Sequence, residues 1–208
     1  MKAVRIHEHG GPEVLTWDEM EAPSCPPGKI LLEVKAASIN HLDLWVRKGF
    51  PGIELPLIMG SDASGVIAEV GSEVTGWNSG DEVMIQPGIY CGECKFCKQG
   101  KENFCIKFGI IGETRDGTQC HFSVVKPENL GRKPTAISFE EAASFSLVFL
   151  TAYTMLVRRT KIEGGENVLV LGAGSGVGSA AVQLAKHFGC TVMATAGNED
   201  KLQNARDL

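Results

Sequence analysis

Val168-Leu169-Val170-Leu171-Gly172-Ala173-Gly174-Ser175-Gly176-Val177-Gly178 is the stretch on which the fold turns. Its first four residues form a short aliphatic, β-branched run of the kind buried on both faces of a parallel sheet. A glycine cluster follows, then a helical pattern from Gly178 to Phe188 and a second strand, Thr191 to Thr195. Strand, glycine turn, helix and strand in that order open a doubly wound nucleotide-binding fold. In such a unit the backbone amides of Ala173, Gly174, Ser175, Gly176, Val177 and Gly178 sit at a helix N-terminus, where a dinucleotide pyrophosphate is favoured. A glycine-rich stretch alone says little, because glycines also serve helix–strand packing; the flanking elements supply the context. The second strand runs out through Ala194-Thr195-Ala196-Gly197-Asn198, and the first carboxylates, Glu199 and Asp200, come only with the next helix. An acid at the strand's end would bind the ribose 2′-hydroxyl of NAD(H). Its absence at Ala196, with Asn198 and Lys201 available to donate to a 2′-phosphate, favours NADP(H), with NAD(H) the less favoured cofactor.

Upstream of this unit, Phe139 to Val157 reads as a helix, with Ser138 and Glu141 spaced as a capping box. Earlier still the chain reads as β: Ile30 to Ala36, Ser64 to Val70 and Glu82 to Ile85 are short strands separated by turns at Gly71, Gly76 and Gly80. The class is therefore α/β with a β-rich N-terminal part. The expected boundary lies between Pro127 and Ser138, giving a domain over 1–130 and the start of a nucleotide-binding domain over 131–208. The 25 glycines among 208 residues fit a turn-rich chain, and a net charge of −5 leaves no basic footprint for nucleic acid. The N-terminus lacks a signal peptide's apolar stretch. The longest uncharged run, the 16 residues from Ala142 to Val157, is short of the roughly 20 that a membrane helix needs. No membrane partner and a cytoplasmic location are expected.

Four of the seven cysteines, Cys91, Cys94, Cys97 and Cys105, fall in a C-x2-C-x2-C-x7-C pattern. Four thiolates can close a tetrahedral zinc site with no open position, which makes the site structural. The bacterial iron–sulfur run closes with a shorter gap and a proline, whereas Ile106 follows Cys105 here. One zinc per chain is expected, in a lobe over about 88–106, with Gly88, Gly92 and Gly100 supplying permissive backbone. Cys25, Cys120 and Cys190 stand alone and read as small core or surface residues.

This order of a β domain, a four-cysteine lobe and a nucleotide unit resembles the medium-chain dehydrogenase/reductases, the family of zinc-type alcohol dehydrogenases and quinone oxidoreductases. Ala37 to Asp43, Gly60 to Val66, Gly80 to Val83 and Phe149 to Tyr153 look like stretches of that family's pattern. The resemblance implies a chaperonin-10-like (GroES-like) barrel followed by the first part of a Rossmann sheet, with the active site between them. It also implies losses. Zinc alcohol dehydrogenases have a cysteine where this chain has Asn40, a histidine at Ser61 and a cysteine at Leu147, and the acid after the histidine survives as Asp62. Ala173 and Ser175 replace glycines of alcohol dehydrogenases, as in the quinone oxidoreductase branch. That branch and the enoyl reductases work without the catalytic zinc. By resemblance Asn40 and Tyr153 are polar contacts to nicotinamide or substrate carbonyl, Thr151 packs near the nicotinamide, and His41 reaches the pyrophosphate.

The implied activity is an NADPH-dependent oxidoreductase acting on a small molecule, a quinone or an α,β-unsaturated carbonyl, with a structural but no catalytic zinc. The alternatives are an alcohol dehydrogenase with improvised ligands (His41, Asp43 or Asp62) and a non-catalytic nucleotide-binding relative. Family members are usually homo-oligomers. Since only a partial helix follows Thr195, the 208-residue chain is read as C-terminally incomplete and inactive by itself, with Val168, Val170, Val192 and Ala194 poorly protected.

Overall fold

The computed structural model describes residues 1–49 and 51–208. The chain divides into two compact units, Met1–Ser146 and Leu147–Leu208. In the first lie strands β1 (Lys2–Ile6), β2 (Leu15–Glu19), β3 (Ile30–Ala37), β4 (Leu57–Ile58), β5 (Ala63–Val70), β6 (Glu82–Ile85), β7 (Gly88–Ile89), β8 (Gly109–Ile110), β9 (Phe122–Val125) and β10 (Leu130–Arg132). Helices α1 (His41–Lys48) and α2 (Phe139–Ala143) belong to the same unit. Helix α3 (Ser146–Tyr153) begins at the division, and β11 (Asn167–Val170), α4 (Gly176–His187), β12 (Thr191–Ala194) and α5 (Glu199–Asp207) follow.

The expected strands are found, with β3, β5 and β6 at the centre of a five-stranded sheet ordered β10-β6-β5-β3-β9. All its pairings are antiparallel. Period-two burial explains the register: Ile30 and Leu32 point inward and are 0% exposed, packing with Ile67, Val83, Ile85 and Val125. A three-stranded sheet, β2-β1-β4, accompanies it. Helix α1 interrupts this β-rich part unannounced by the hydrophobic pattern. It buries Asp43, Val46 and Arg47 and exposes Leu44 and Trp45, an inverted mixture that apolar periodicity does not detect.

At α2 the expected capping box is complete: the Glu141 N–H donates to Ser138 Oγ at 3.2 Å, and the Ser138 N–H to Glu141 Oε2 at 2.7 Å. The single helix expected from Phe139 to Val157 is not. It breaks at Ser144–Phe145, where the Ser144 hydroxyl donates to the Glu141 carbonyl at 2.9 Å and competes with the helical ladder. It resumes as α3 and widens into a π-helical segment, Thr154–Thr160, that ends at Lys161 with φ 58°.

In the second unit β11 and β12 pair in parallel, Asn167 opposite Thr191 through Val170 opposite Ala194, as the strand–turn–helix–strand reading requires. Helix α4 packs its Ala180, Ala181 and Val182 with Val170 on one side of this pair. Burial on both faces, expected for the run from Val168 to Leu171, is not observed. Leu169, Leu171 and Met193 are 58%, 73% and 51% exposed, whereas Val170 is 7% exposed. The poorly protected residues are thus these three rather than Val168, Val170, Val192 and Ala194, because α4 covers the other face. No helix among the described residues is long and apolar enough to cross a membrane.

Candidate functional site

The four-cysteine lobe follows β7. Cys91, Cys94, Cys97 and Cys105 bring their sulfurs within 4.8 Å of one another, and no disulfide joins them. Among the described residues no other trio of histidine, cysteine or carboxylate side chains is gathered in this way. The sulfur separations of 3.4, 3.5 and 3.9 Å match a tetrahedron, whose edges are about 3.8 Å when each Zn–S bond is about 2.3 Å. Backbone N–H groups of Cys91, Cys94 and Lys107 point at sulfurs from 3.3 to 3.4 Å, the arrangement that stabilises thiolates. Two of the thiols are driven apart in acidity. Donation from the Cys97 and Ile106 backbone holds Cys94 down at about 6, whereas desolvation pushes Cys97 up to about 12. Uncompensated thiolates this close repel one another, and a divalent cation removes that conflict. The donor set therefore fits a soft divalent metal in a closed site. Of the three glycines expected to ease the loop, Gly92 and Gly100 have φ of 76° and 66°, which side-chain-bearing residues rarely adopt, whereas Gly88 lies in β7.

Asn40 is the N-cap of α1. Its backbone N–H donates to Asp43 Oδ2 at 2.7 Å, and its side-chain Nδ2 donates to Asp62 Oδ2 at 3.1 Å. Burial pushes the Asp43 carboxyl above the usual range, opposed by N–H groups of Asn40 and Gly60. Asp62 is 1% exposed, and its carbonyl accepts from Thr118 Oγ1 at 3.0 Å. Ser61, beside it, is 0% exposed, and its hydroxyl finds no hydrogen-bond partner among the described residues. His41, Asp43 and Asp62 are not gathered as a ligand set. His41 is exposed at the start of α1, its ring edge-on to Trp45 with centroids 4.9 Å apart.

In the second unit Ser175 caps α4, its hydroxyl accepting from the Gly178 N–H at 3.0 Å. The Ala173 and Gly172 N–H groups are taken by the Thr195 carbonyl and hydroxyl, at 2.9 and 3.3 Å. No protein group among the described residues accepts from the N–H of Gly174, Gly176 or Val177. Three donors without a partner at the start of a twelve-residue helix are placed where an anion could be held. Gly178 is obligatory for this arrangement: a Cβ there would lie 2.2 Å from the Gly172 carbonyl oxygen. Asn198 caps α5, its Oδ1 accepting from the Lys201 N–H at 3.0 Å, and the Lys201 stem lies across Gly174, within 2.7 Å of where a Cβ would stand. Ala196 and Gly197 connect β12 to this cap. Thr151 and Tyr153 are exposed on α3, with the Thr151 hydroxyl donating to the Leu147 carbonyl at 2.8 Å. Sequence reasoning did not find Thr195, Thr118 or the partnership of Asp62 with Asn40, since these depend on which strands end side by side.

Residues 26–135, more than half of the chain, match the alcohol dehydrogenase GroES-like domain. The crotonyl-CoA carboxylase/reductase of Cereibacter sphaeroides is 36% identical over 96% of this chain and 49% of its own length. The acryloyl-coenzyme A reductase of Metallosphaera sedula is 36% identical over 97% of this chain and 60% of its own. A crystal structure of an NAD-dependent alcohol dehydrogenase superposes with a TM-score of 0.96 at 47% identity, covering 100% of this chain and 61% of that one. The chain thus spans about half to three fifths of the length of these proteins.

Proposed function

The chain belongs to the alcohol dehydrogenase GroES-like family, and on that premise we propose that it is a reductase passing hydride from NADPH to an activated acceptor, a quinone or an α,β-unsaturated carbonyl. In this reading residues 1–130 form the GroES-like domain with its zinc lobe, and residues 131–208 open the nucleotide-binding domain. The observation that carries it is the Asn40–Asp62 hydrogen bond of 3.1 Å at the place where a catalytic zinc would need a thiolate. Amide, hydroxyl and leucine at 40, 61 and 147 offer no thiolate or imidazole, so the Lewis acid that lowers an alcohol's pKa has no ligands there. An acceptor conjugated to its own carbonyl needs no such help. The two coenzyme A thioester reductases among the relatives support the conjugated C=C over the quinone.

Zinc in the four-cysteine site would supply no chemistry beyond folding. NADPH, when bound, supplies a hydride to an electrophilic carbon of the acceptor. The N–H groups of Gly174, Gly176 and Val177 would hold its pyrophosphate, with His41 a second contact. Lys201, laid across Gly174, and Asn198 would meet the 2′-phosphate. Asn40 would donate to the acceptor's carbonyl oxygen as charge gathers on it, with Tyr153 a further polar contact and Thr151 beside the nicotinamide.

The experiment is NADPH oxidation by the native protein with a panel of quinones, enones and enoyl thioesters, alongside primary and secondary alcohols with NADP⁺. Turnover of the conjugated acceptors, with alcohols at background, is expected. A second reading, alcohol oxidation, is supported by the alcohol dehydrogenase at 47% identity; turnover of alcohols abolished by a chelator would establish it instead.

A further inference from the structure

A free asparagine amide has two nearly isosteric orientations, and only one presents a usable edge to a ligand. In this chain the capping box of α1 and a carboxylate make the choice together. The Asp62 carboxyl oxygen accepts here, so the NH2 end of Asn40 faces it, at 3.1 Å. Asp62 is itself fixed: it is 1% exposed, and its carbonyl accepts from the Ser38 N–H at 3.2 Å and from Thr118 Oγ1 at 3.0 Å, with Thr118 0% exposed. From the other side Asp43 pins the Asn40 backbone through its N–H at 2.7 Å. Two carboxylates therefore clamp one residue, one by its main chain and one by its amide. What remains free on Asn40 is a single N–H, because its side-chain oxygen faces the Asp43 N–H in the capping box of α1.

We propose that Asp62 is the positioning residue of the site: it fixes the orientation of the Asn40 amide, and thereby the N–H that meets the acceptor's carbonyl oxygen. The proposal rests on the reductase reading above. It assigns Asp62 no contact with substrate; the role proposed is exerted through Asn40. The requirement is for an acceptor of fixed charge at position 62, and shape is secondary.

That distinction sets the test. Asp62→Asn keeps the volume but offers donor and acceptor alike, so the Asn40 amide loses the charged partner that reinforces its orientation. Asp62→Glu keeps the carboxylate and adds a methylene to a buried place. With native protein, NADPH and a conjugated acceptor that the wild type reduces, Asp62→Asn is expected to lower kcat about tenfold with KM nearly unchanged, the pattern of a contact made chiefly in the transition state. Asp62→Glu is expected to keep kcat within about threefold of wild type, rescue by charge that packing alone does not predict. Melting curves of both variants accompany the kinetics. An Asp62→Asn protein with wild-type kcat overturns the proposal, whatever becomes of Asp62→Glu. So does a folded Asp62→Glu protein that loses more kcat than Asp62→Asn. A wild type that reduces no acceptor removes the reductase reading and this proposal together, whereas an active wild type with insensitive variants removes the proposal alone.

Discussion

Cys105→Ser is expected to release the metal and collapse the lobe between β7 and β8. Cys105 is buried, 6% exposed, and its sulfur lies 3.4 Å from that of Cys91 while accepting from the N–H groups of Cys91 and Lys107. Apart from β7, β8 and two short 3-10 turns, Cys97–Gln99 and Glu102–Phe104, the lobe has little regular structure of its own. A loop this poor in ladder hydrogen bonds takes its folding energy from the metal, which supplies roughly 10–16 kcal/mol in comparable four-ligand peptides near neutral pH. Serine cannot replace a thiolate, so most of that contribution is lost. Even a fraction of it, about 4 kcal/mol, would lower Tm by about 8–16 °C in a chain of this size. Thermal melts with elemental analysis of wild type and variant check this. A variant that keeps its metal and its Tm would show that Cys105 is no ligand. Cys25→Ser serves as control, because Cys25 lies outside the cluster and should leave both readings unchanged.

The second large effect is expected at the cofactor. Ala196 lies between β12 and the Asn198 cap of α5, where an acid would confront the group on the adenosine ribose 2′-position. Ala196→Asp should move preference from NADPH toward NADH. A unit charge about 4 Å from a phosphate, at an effective dielectric constant near 20, costs about 4 kcal/mol, or roughly a thousandfold in NADPH affinity. Fluorescence titration with both cofactors measures it. Wild-type protein that binds NADH as well as NADPH would remove the argument before any substitution is made. An Ala196→Asp protein with unchanged preference would place the 2′-phosphate elsewhere. Because the repulsion is electrostatic, the difference between the two cofactors should narrow as salt is raised.

How far these features could be read in the sequence depended on how local their causes are. The capping box at Ser138 and Glu141 is legible because both bonds span three residues, and it is formed as expected. The same holds for the four cysteines, which lie close in sequence and whose sulfurs come within 4.8 Å of one another. The strand–turn–helix–strand unit was readable from its hydrophobic period and its glycines. Non-local causes were not readable. Helix α1 was hidden because its buried face holds Asp43 and Arg47 beside Val46, while Leu44 and Trp45 are exposed. The break before α3 depends on one serine hydroxyl turning back on the ladder. The exposure of Leu169 and Met193 reflects what packs on each face of the β11–β12 pair, which no property of the run itself encodes. The link between Asn40 and Asp62, 22 residues apart, exists only because the start of α1 and the segment before β5 are brought together by the fold.

In the reading proposed above, this chain holds one closed four-thiolate metal site and no catalytic metal. The number of zinc ions per chain, measured by elemental analysis after dialysis against a mild chelator, tests it most directly. A ratio near one is expected, carried by Cys91, Cys94, Cys97 and Cys105 and abolished in Cys105→Ser. A ratio near two, with one ion persisting in Cys105→Ser, would mean that a second metal site exists and that the catalytic zinc has not been lost.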